Sequence, residues 1–529
     1  MAFRLLVTDE LSPEAVTLLE ENDDIHFDVV KGLSPAELAK EVVGYDALIV
    51  RSSAKATAEV IAAADKLRVI GRAGVGVDNI DIPAASEKGI VVMNTPGANT
   101  VATAEHTMAL LLAMCRHVAP AAASLRAGRW DRKLYKGIEM RGKTIGIVGL
   151  GRIGRRVARR CKSFGMDVIC FDPYLSDDRA HEMRIERVSM DELLARSDFI
   201  SLHAALTPKT RGIIDEEAIA KMKPGVRIVN AARGALIDEP ALIAALESGK
   251  VAGAALDVLT DEPPDFANPL LHMDNVLVTP HLAASTKEAQ RQVGLQVVQQ
   301  VVDALHETDF RNAINMPIVD GRVIKEIRPY LAMAERLGSL QTQLAPDAVT
   351  KVEVAIEGEM IDTHIKPITV AILKGLLEPV PTGSVNYVNA PHVAMERGIV
   401  VTQTTGLHTA DYPNIISCRV EWNGGIRTIA ASLFSHDEPR IVDVDGFRID
   451  VRPEGTILVT WSRDEPGMIG KVGTILGDLG VNIATWRTGR SGPGEQALSF
   501  ISVDSDVADE VLTQLAQTPP IERIAKVHL

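Results

Sequence analysis
The sequence predicts an α/β protein that runs on into an α+β region and closes with a βαββαβ unit. Three observations predict it. Short apolar strands alternate with helical patterns in two successive series, the rhythm of right-handed βαβ crossovers on parallel sheets. A strand, a glycine loop and a helix open the second series, in "TIGIVGLGRIGRRVARRCKSFG". From Thr456 onward the order strand, helix, strand, strand, helix, strand follows the split βαβ plan.

Taken in order, "FRLLVTD", "FDVV", "ALIVRSS", "LRVIGRA" and "IVVMN" read as strands, with "PEAVTLLEE", "PAELAKEVVGY" and "AEVIAAA" as helices between them. After the breaker "NTPGANT", one long helix is expected from Thr100 to Leu125. The second series continues through "FISLHAAL", "RIVNAA", "GAALDVL" and "NVLVTP", and a helix from Lys287 to His306 ends it. Composition changes near Val319. Residues 319–453 read as α+β, with the helix-like "EIRPYLAMAERLGSLQTQL", the strand "TKVEVAIEGEM", and hairpin turns at Asn423-Gly424-Gly425 and Asp445-Gly446. A chain of 529 residues exceeds one ordinary core, so about three or four domains are expected.

Composition narrows the function. A net charge of -14 and a pI near 5.5 argue against nucleic acid and against an anionic membrane as partners, because binding phosphates on that scale needs a basic face. The four cysteines, Cys115, Cys161, Cys170 and Cys418, are scattered. Neither a metal site nor a disulfide framework is expected, and a reducing cytoplasm fits best. Asp9 and Glu10 arrive too early for a signal peptide. "TMALLLAMC" is too short for a membrane span and reads as a core helix.

In the glycine loop, Gly149 permits a tight turn, Gly151 lets backbone approach a pyrophosphate, and Gly154 lets helix and strand pack closely. The helix start adds free N–H groups and a positive dipole. Asp172 follows at the end of "MDVICFDPY", where its carboxylate would take the ribose hydroxyls and repel a 2′-phosphate. The expected cofactor is therefore NAD. Moving a hydride to a nicotinamide needs a base for the alcohol proton and a cation for a carboxylate. Three strand ends supply candidates: Arg233 in "RIVNAARGAL", Asp257 and Glu262 in "LDVLTDEPP", and His281 in "NVLVTPHLAAST". Read alone, each is an ordinary loop residue, as His106 and His203 are. On one α/β sheet they converge on the carboxyl edge.

The segments "VGLGRIGRRVA", "NAARGALIDEPAL", "LDVLTDEPP" and "TPHLAAST", with "GRAGVGVDNID" near the front, resemble the D-isomer-specific 2-hydroxyacid dehydrogenase family. The resemblance implies a Rossmann-like NAD-binding lobe, residues 99–285, inserted in a flavodoxin-like substrate lobe, residues 1–98 and 286–318. It also implies an intervening regulatory domain over 319–453 and an ACT domain, ferredoxin-like in plan, over 454–529. By the same resemblance His281 is the base, Glu262 holds and tunes it, and Arg233 binds the carboxylate and the nascent carbonyl. Arg152, Ile153, Asp172, Ala231, Arg233, Asp257, His281 and Ala284 join the glycines as implied cofactor contacts.

The implied reaction is oxidation of 3-phospho-D-glycerate to 3-phosphooxypyruvate with NAD, the first step of the phosphorylated route to L-serine. A phosphorylated substrate needs more cations. Arg51 with Ser52, and Arg72 with Gly74, follow first-lobe strands and face the expected cleft; Arg132, Lys133 and Lys136 form a second basic group after the long helix. In "WSRDEPGMIG" and "GVNIAT", Asp464 and Asn482 are expected to read the α-amino group of an L-serine effector, although Ser462 stands where relatives often have histidine or tyrosine. The family implies a homodimer or homotetramer. Two other readings stay open: another D-2-hydroxyacid dehydrogenase, such as a glyoxylate or hydroxypyruvate reductase, with 2-oxoglutarate reduction as a side activity, and an NAD-sensing interaction protein like the C-terminal-binding-protein corepressors.

Overall fold
The computed structural model describes residues 2–317, 321–358, 361–378, 385–406, 412–435 and 437–529. The expected domain boundary at 318/319 lies outside them. Four sheets organise the described residues. The first is built from β1 (Phe3–Val7), α1 (Pro13–Glu20), β2 (Ile25–Val29), α2 (Pro35–Glu41), β3 (Ala47–Val50), α3 (Ala58–Ala63), β4 (Val69–Arg72), α4 (Ile82–Glu87) and β5 (Val91–Met93). Its strand order is β2-β1-β3-β4-β5, and every pairing is parallel. Ser12, Ser34, Thr57 and Asp81 cap its helices, each side chain accepting a backbone N–H of the first turn.

Next come α5 (Thr100–Cys115) and α6 (Val118–Arg126). The single helix expected from Thr100 to Leu125 is thus two, bent by 63°, with His117 left-handed at φ 49°. Pro120 explains the break: inside a continuous helix its ring would clash with the Arg116 carbonyl and its missing N–H would leave a gap, whereas the first turn of a new helix tolerates it. Among the described residues no single helix is long and apolar enough to cross a membrane.

The second sheet runs through β6 (Thr144–Val148), α7 (Arg152–Ser163), β7 (Asp167–Phe171), α8 (Asp177–Glu182), β8 (Glu186–Arg187), α9 (Met190–Arg196), β9 (Phe199–Leu202), α10 (Glu216–Lys221), β10 (Val226–Asn230), α11 (Glu239–Glu247), β11 (Val251–Leu256) and β12 (Val276–Val278). Its order, β12-β11-β10-β9-β6-β7-β8, reverses between β6 and β9, the switch point where doubly wound sheets open a crevice. Then α12 (Lys287–Leu305) returns to the first sheet, burying Val293, Val297, Val298 and Val301 against Leu5, Ile49 and Val69. Gly71 permits this: a Cβ there would lie 2.5 Å from Val301 Cγ2.

The third part holds α13 (Gly321–Leu344), β13 (Val349–Glu357), α14 (Ile365–Leu377), α15 (Ala390–Glu396), β14 (Val400–Gly406), β15 (Ile415–Trp422), β16 (Gly425–Phe434), β17 (Glu438–Val444) and β18 (Phe447–Val451). Its sheet, β14-β13-β15-β16-β17-β18, is antiparallel except for β13 with β14. Asp445 and Gly446 both have positive φ, 52° and 86°, the geometry of a two-residue hairpin turn. The last part is β19 (Thr456–Arg463), α16 (Met468–Asp478), β20 (Ile483–Arg490), β21 (Gln496–Val503), α17 (Asp509–Ala516) and β22 (Ile521–His528), with sheet order β20-β21-β19-β22. Its βαββαβ plan is the one read from the sequence.

Candidate active site
Between the first two sheets lies a cavity of about 480 Å³, lined on one side by residues after β3 and β4 and on the other by residues after β6, β9, β10 and β12. The glycine loop forms part of its wall. Gly149 has φ 90°, and a Cβ there would meet the His203 backbone at 2.9 Å; a Cβ on Gly154 would meet Gly149 O at 2.2 Å; around Gly151 there is open space. One glycine thus serves the turn, one the packing of α7, and one the approach of a ligand. Asp172 accepts Leu150 N at 2.8 Å through Oδ2 and Tyr174 N at 2.9 Å through Oδ1, so it ties the glycine loop to the end of β7. Arg187 reaches the Asp172 backbone oxygen but is engaged by Asp177 at 2.8 Å. An open glycine at a helix start, with a carboxylate at the neighbouring strand end, fits the pyrophosphate and ribose of NAD.

His281 and Arg233 both line the cavity. His281 Nδ1 is 2.7 Å from Glu262 Oε2, and Glu262 Oε1 accepts Leu259 N at 3.2 Å. Burial pushes the Glu262 carboxyl up, but the His281 hydrogen bond and charge, with Leu259 N–H and Arg233, outweigh it and hold the group below the usual range. An ionised Glu262 accepts from Nδ1–H and leaves Nε2 as the free ring nitrogen. Arg233 is held from two directions: Nε donates to Asp78 Oδ2 at 2.7 Å and Nη1 to Ala232 O at 2.7 Å. Gly76 makes room for it, since a Cβ there would stand 1.5 Å from Arg233 Nη2.

Arg51, Ser52, Arg72 and Gly74 line the same cavity from the opposite side. Arg51 meets Asp9 only at 3.6 Å. Arg72 is folded over Gly74, where a Cβ would overlap its Nη1, and its buried Nε has no partner. Burial pulls the Arg72 guanidinium down to about 10, and repulsion from Arg233 and Arg51 adds to it. With Arg152, which also lines it, four arginines surround one space and call for a polyanion. Arg132, Lys133 and Lys136 lie exposed beyond α6 and outside this cavity.

Residues 108–283 match the D-isomer specific 2-hydroxyacid dehydrogenase NAD binding domain, 326–445 the D-3-phosphoglycerate dehydrogenase intervening domain, and 456–520 the ACT domain. The D-3-phosphoglycerate dehydrogenase of Methanocaldococcus jannaschii is 44% identical over 527 residues, covering 99% of this chain and 100% of its own length. That of Bacillus subtilis is 41% identical, covering 100% of both. The chain belongs to the D-3-phosphoglycerate dehydrogenase family. Solved structures of other 2-hydroxy-acid enzymes match part of its length. A glyoxylate reductase from Paecilomyes thermophila (34% identity, TM-score 0.55) covers 59% of this chain and 98% of its own, and D-lactate dehydrogenase from Escherichia coli (31%, TM-score 0.54) covers 59% and 100%.

In this family member, three further groups of side chains are already engaged with partners. Asp257, expected beside the cofactor, does not line the cavity: its side chain is wholly enclosed and accepts from the loop after His281. His106, read as an ordinary loop histidine, sits on α5 and touches that buried aspartate at 3.0 Å. In the ACT unit, Asp464 is taken by Arg490 at 2.7 Å and Asn482 by Asp504 at 2.5 Å, so each already has a partner rather than a shared open site. Ser462 is buried with its Oγ unpartnered. Sequence reasoning missed Asp78 and Gly76, although both stand in "GRAGVGVDNID"; the glycine two residues before an acid was the signal.

Proposed function
We propose that the chain oxidises 3-phospho-D-glycerate to 3-phosphooxypyruvate with NAD, opening the phosphorylated route to L-serine. The observation that carries this is the facing of Arg51 and Arg72 across one cavity from Arg233 and the His281–Glu262 pair, in a chain similar to phosphoglycerate dehydrogenases over its full length. His281 Nε2 takes the proton of the C2 hydroxyl. Glu262 receives Nδ1–H, fixes the tautomer and stabilises the imidazolium that forms. Arg233 grips the carboxylate and favours the growing carbonyl dipole, while Arg51 and Arg72 hold the phosphate. Bound at the Gly149–Gly154 loop and Asp172, NAD supplies the hydride acceptor. The reductase readings are not favoured, because the glyoxylate reductase covers 59% of this chain whereas the phosphoglycerate dehydrogenases cover 99% or more; nothing in the site favours a corepressor role. Arg51→Ala and Arg72→Ala should each raise the KM for 3-phospho-D-glycerate by at least about tenfold, the value of one charge-assisted hydrogen bond, with the KM for NAD within about twofold. Unchanged substrate KM in both variants removes the phosphate assignment.

The finer reading is a homodimer or homotetramer of the cytoplasm, regulated by L-serine at the ACT domain through Asp464 and Asn482. The match to the ACT domain supports the regulation, and four buried free thiols suit a reducing compartment. With Asp464 and Asn482 already engaged, the effector must displace Arg490 and Asp504. Millimolar L-serine should therefore slow the reaction, and an unchanged rate would remove the effector.

A further inference from the structure
One buried carboxylate gathers donors from a helix, a strand end and a loop. Asp257 leaves β11 at the edge of the cavity with its side chain wholly enclosed. Four donors converge on it: Thr279 Oγ1 at 2.6 Å, Leu282 N at 2.8 Å and His106 Nε2 at 3.0 Å on Oδ1, and Ala283 N at 2.8 Å on Oδ2. Its backbone oxygen accepts His281 N at 2.9 Å. The aspartate therefore holds the main chain of the three residues His281, Leu282 and Ala283.

That stretch needs holding. His281 has φ 50°, in the left-handed region that a non-glycine residue enters at a cost and keeps only when its surroundings impose it. A carboxylate only accepts, so in this arrangement Nε2 of His106 carries its proton and donates. His106 comes from the second turn of α5, an element separate from the strand ends that carry Asp257 and Thr279. Among the described residues it is therefore the side-chain donor that ties the Asp257–Thr279–Leu282–Ala283 knot to the helix behind it, standing 3.3 Å from Thr279 Oγ1 as well.

We propose that His106 is a positioning residue for His281, acting through Asp257. Without the His106 donor the buried carboxylate is one hydrogen bond short, its grip on Leu282 N and Ala283 N loosens, and the imidazole of His281 drifts from Glu262 and from the substrate hydroxyl. A misplacement of about 1 Å at a reacting group costs on the order of 100-fold in rate. The effect falls on kcat, because His106 touches neither Arg51, Arg72 nor the glycine loop. The inference rests on reading His281 as the base.

The test uses the full chain and four variants: His106→Gln, whose amide donor stands near the place of Nε2; His106→Asn, too short to reach; His106→Leu; and His281→Ala. The expected result is a kcat lowered about 10- to 100-fold in H106L and H106N, restored to within about threefold in H106Q, with the KM for 3-phospho-D-glycerate within about threefold throughout. If H106L does not fold, the comparison of H106N with H106Q decides alone. Equal impairment of the Gln and Asn variants, or an Asn variant as fast as the parent, overturns the proposal. Retained activity in H281A overturns the reading of the base instead, so the two failures are distinguishable.

Discussion
Arg233 shows how much of a site a single small residue can govern. Its guanidinium occupies the space a methyl group would take on Gly76, and Asp78 across the cleft fixes its Nε. Gly76→Ala should therefore displace Arg233 and lower kcat/KM for the hydroxy acid by about 100-fold or more, the scale of losing an oriented ionic contact, while NAD affinity, measured by quenching of NADH fluorescence, stays within about twofold. Asp78→Asn keeps an acceptor and should retain most activity. His203 offers a pH test at the same scale. Burial brings its pKa down to about 4, so the unfolded chain takes up a proton near pH 6.5 that the folded chain refuses. Its contribution to stability is complete above pH 6.5 and is lost as pH falls toward 4. Replacing His203 with asparagine should flatten the fall in urea midpoint between pH 7 and pH 5; an equally steep fall would assign the acid sensitivity elsewhere. The strand-end residues Arg233, Glu262 and His281 were legible because an open parallel sheet gathers its strand ends. Asp78 and His106 were not, because each acts on a residue about 150 positions away, and no local pattern encodes such a pairing.

At the scale of elements, the glycine loop separates packing from binding. A Cβ on Gly154 would meet backbone oxygen at 2.2 Å, whereas one on Gly151 would meet nothing within 4 Å, and Gly151 has an ordinary φ of -68°. Gly154→Ala should cost about 2 kcal/mol of stability through overpacking of α7 against β6. Gly151→Ala should leave the melting temperature unchanged yet weaken NAD binding at least about tenfold, by standing where the pyrophosphate approaches. Equal effects from the two would contradict this division. Most strands and helices were legible from their periods of two and 3.6. The break between α5 and α6 was not, because the apolar pattern runs on through it while Pro120 and the left-handed His117 interrupt the backbone.

For the whole molecule, the intervening and ACT domains share a hydrophobic core. Ile457, Val459, Leu498 and Phe500 of the last unit share one core with Leu340, Val354, Ile429 and Val444. Tyr387 packs on that core and on the substrate lobe's as well. Removing residues 454–529 should thus uncover intervening-domain core and make the shortened chain aggregate on heating well below the melting temperature of the full chain, where independent domains would leave it unchanged. Two α/β lobes and a βαββαβ tail were legible as composition and order; their shared cores were not, since burial against a distant element leaves only the apolar residue and not its partner's name. The domain limits drawn at 98, 285, 318 and 453 remain a proposal that limited proteolysis addresses. Everything above turns on the oxidation of a phosphorylated D-2-hydroxy acid in this cavity. Its most direct test is NADH formation by the purified full chain with 3-phospho-D-glycerate beside unphosphorylated D-glycerate and D-lactate. The kcat/KM for the phosphorylated acid should be at least about 100-fold higher, the worth of two guanidiniums on a dianion, collapsing toward parity in Arg72→Ala; equal turnover of all three acids by the parent chain would rule this function out.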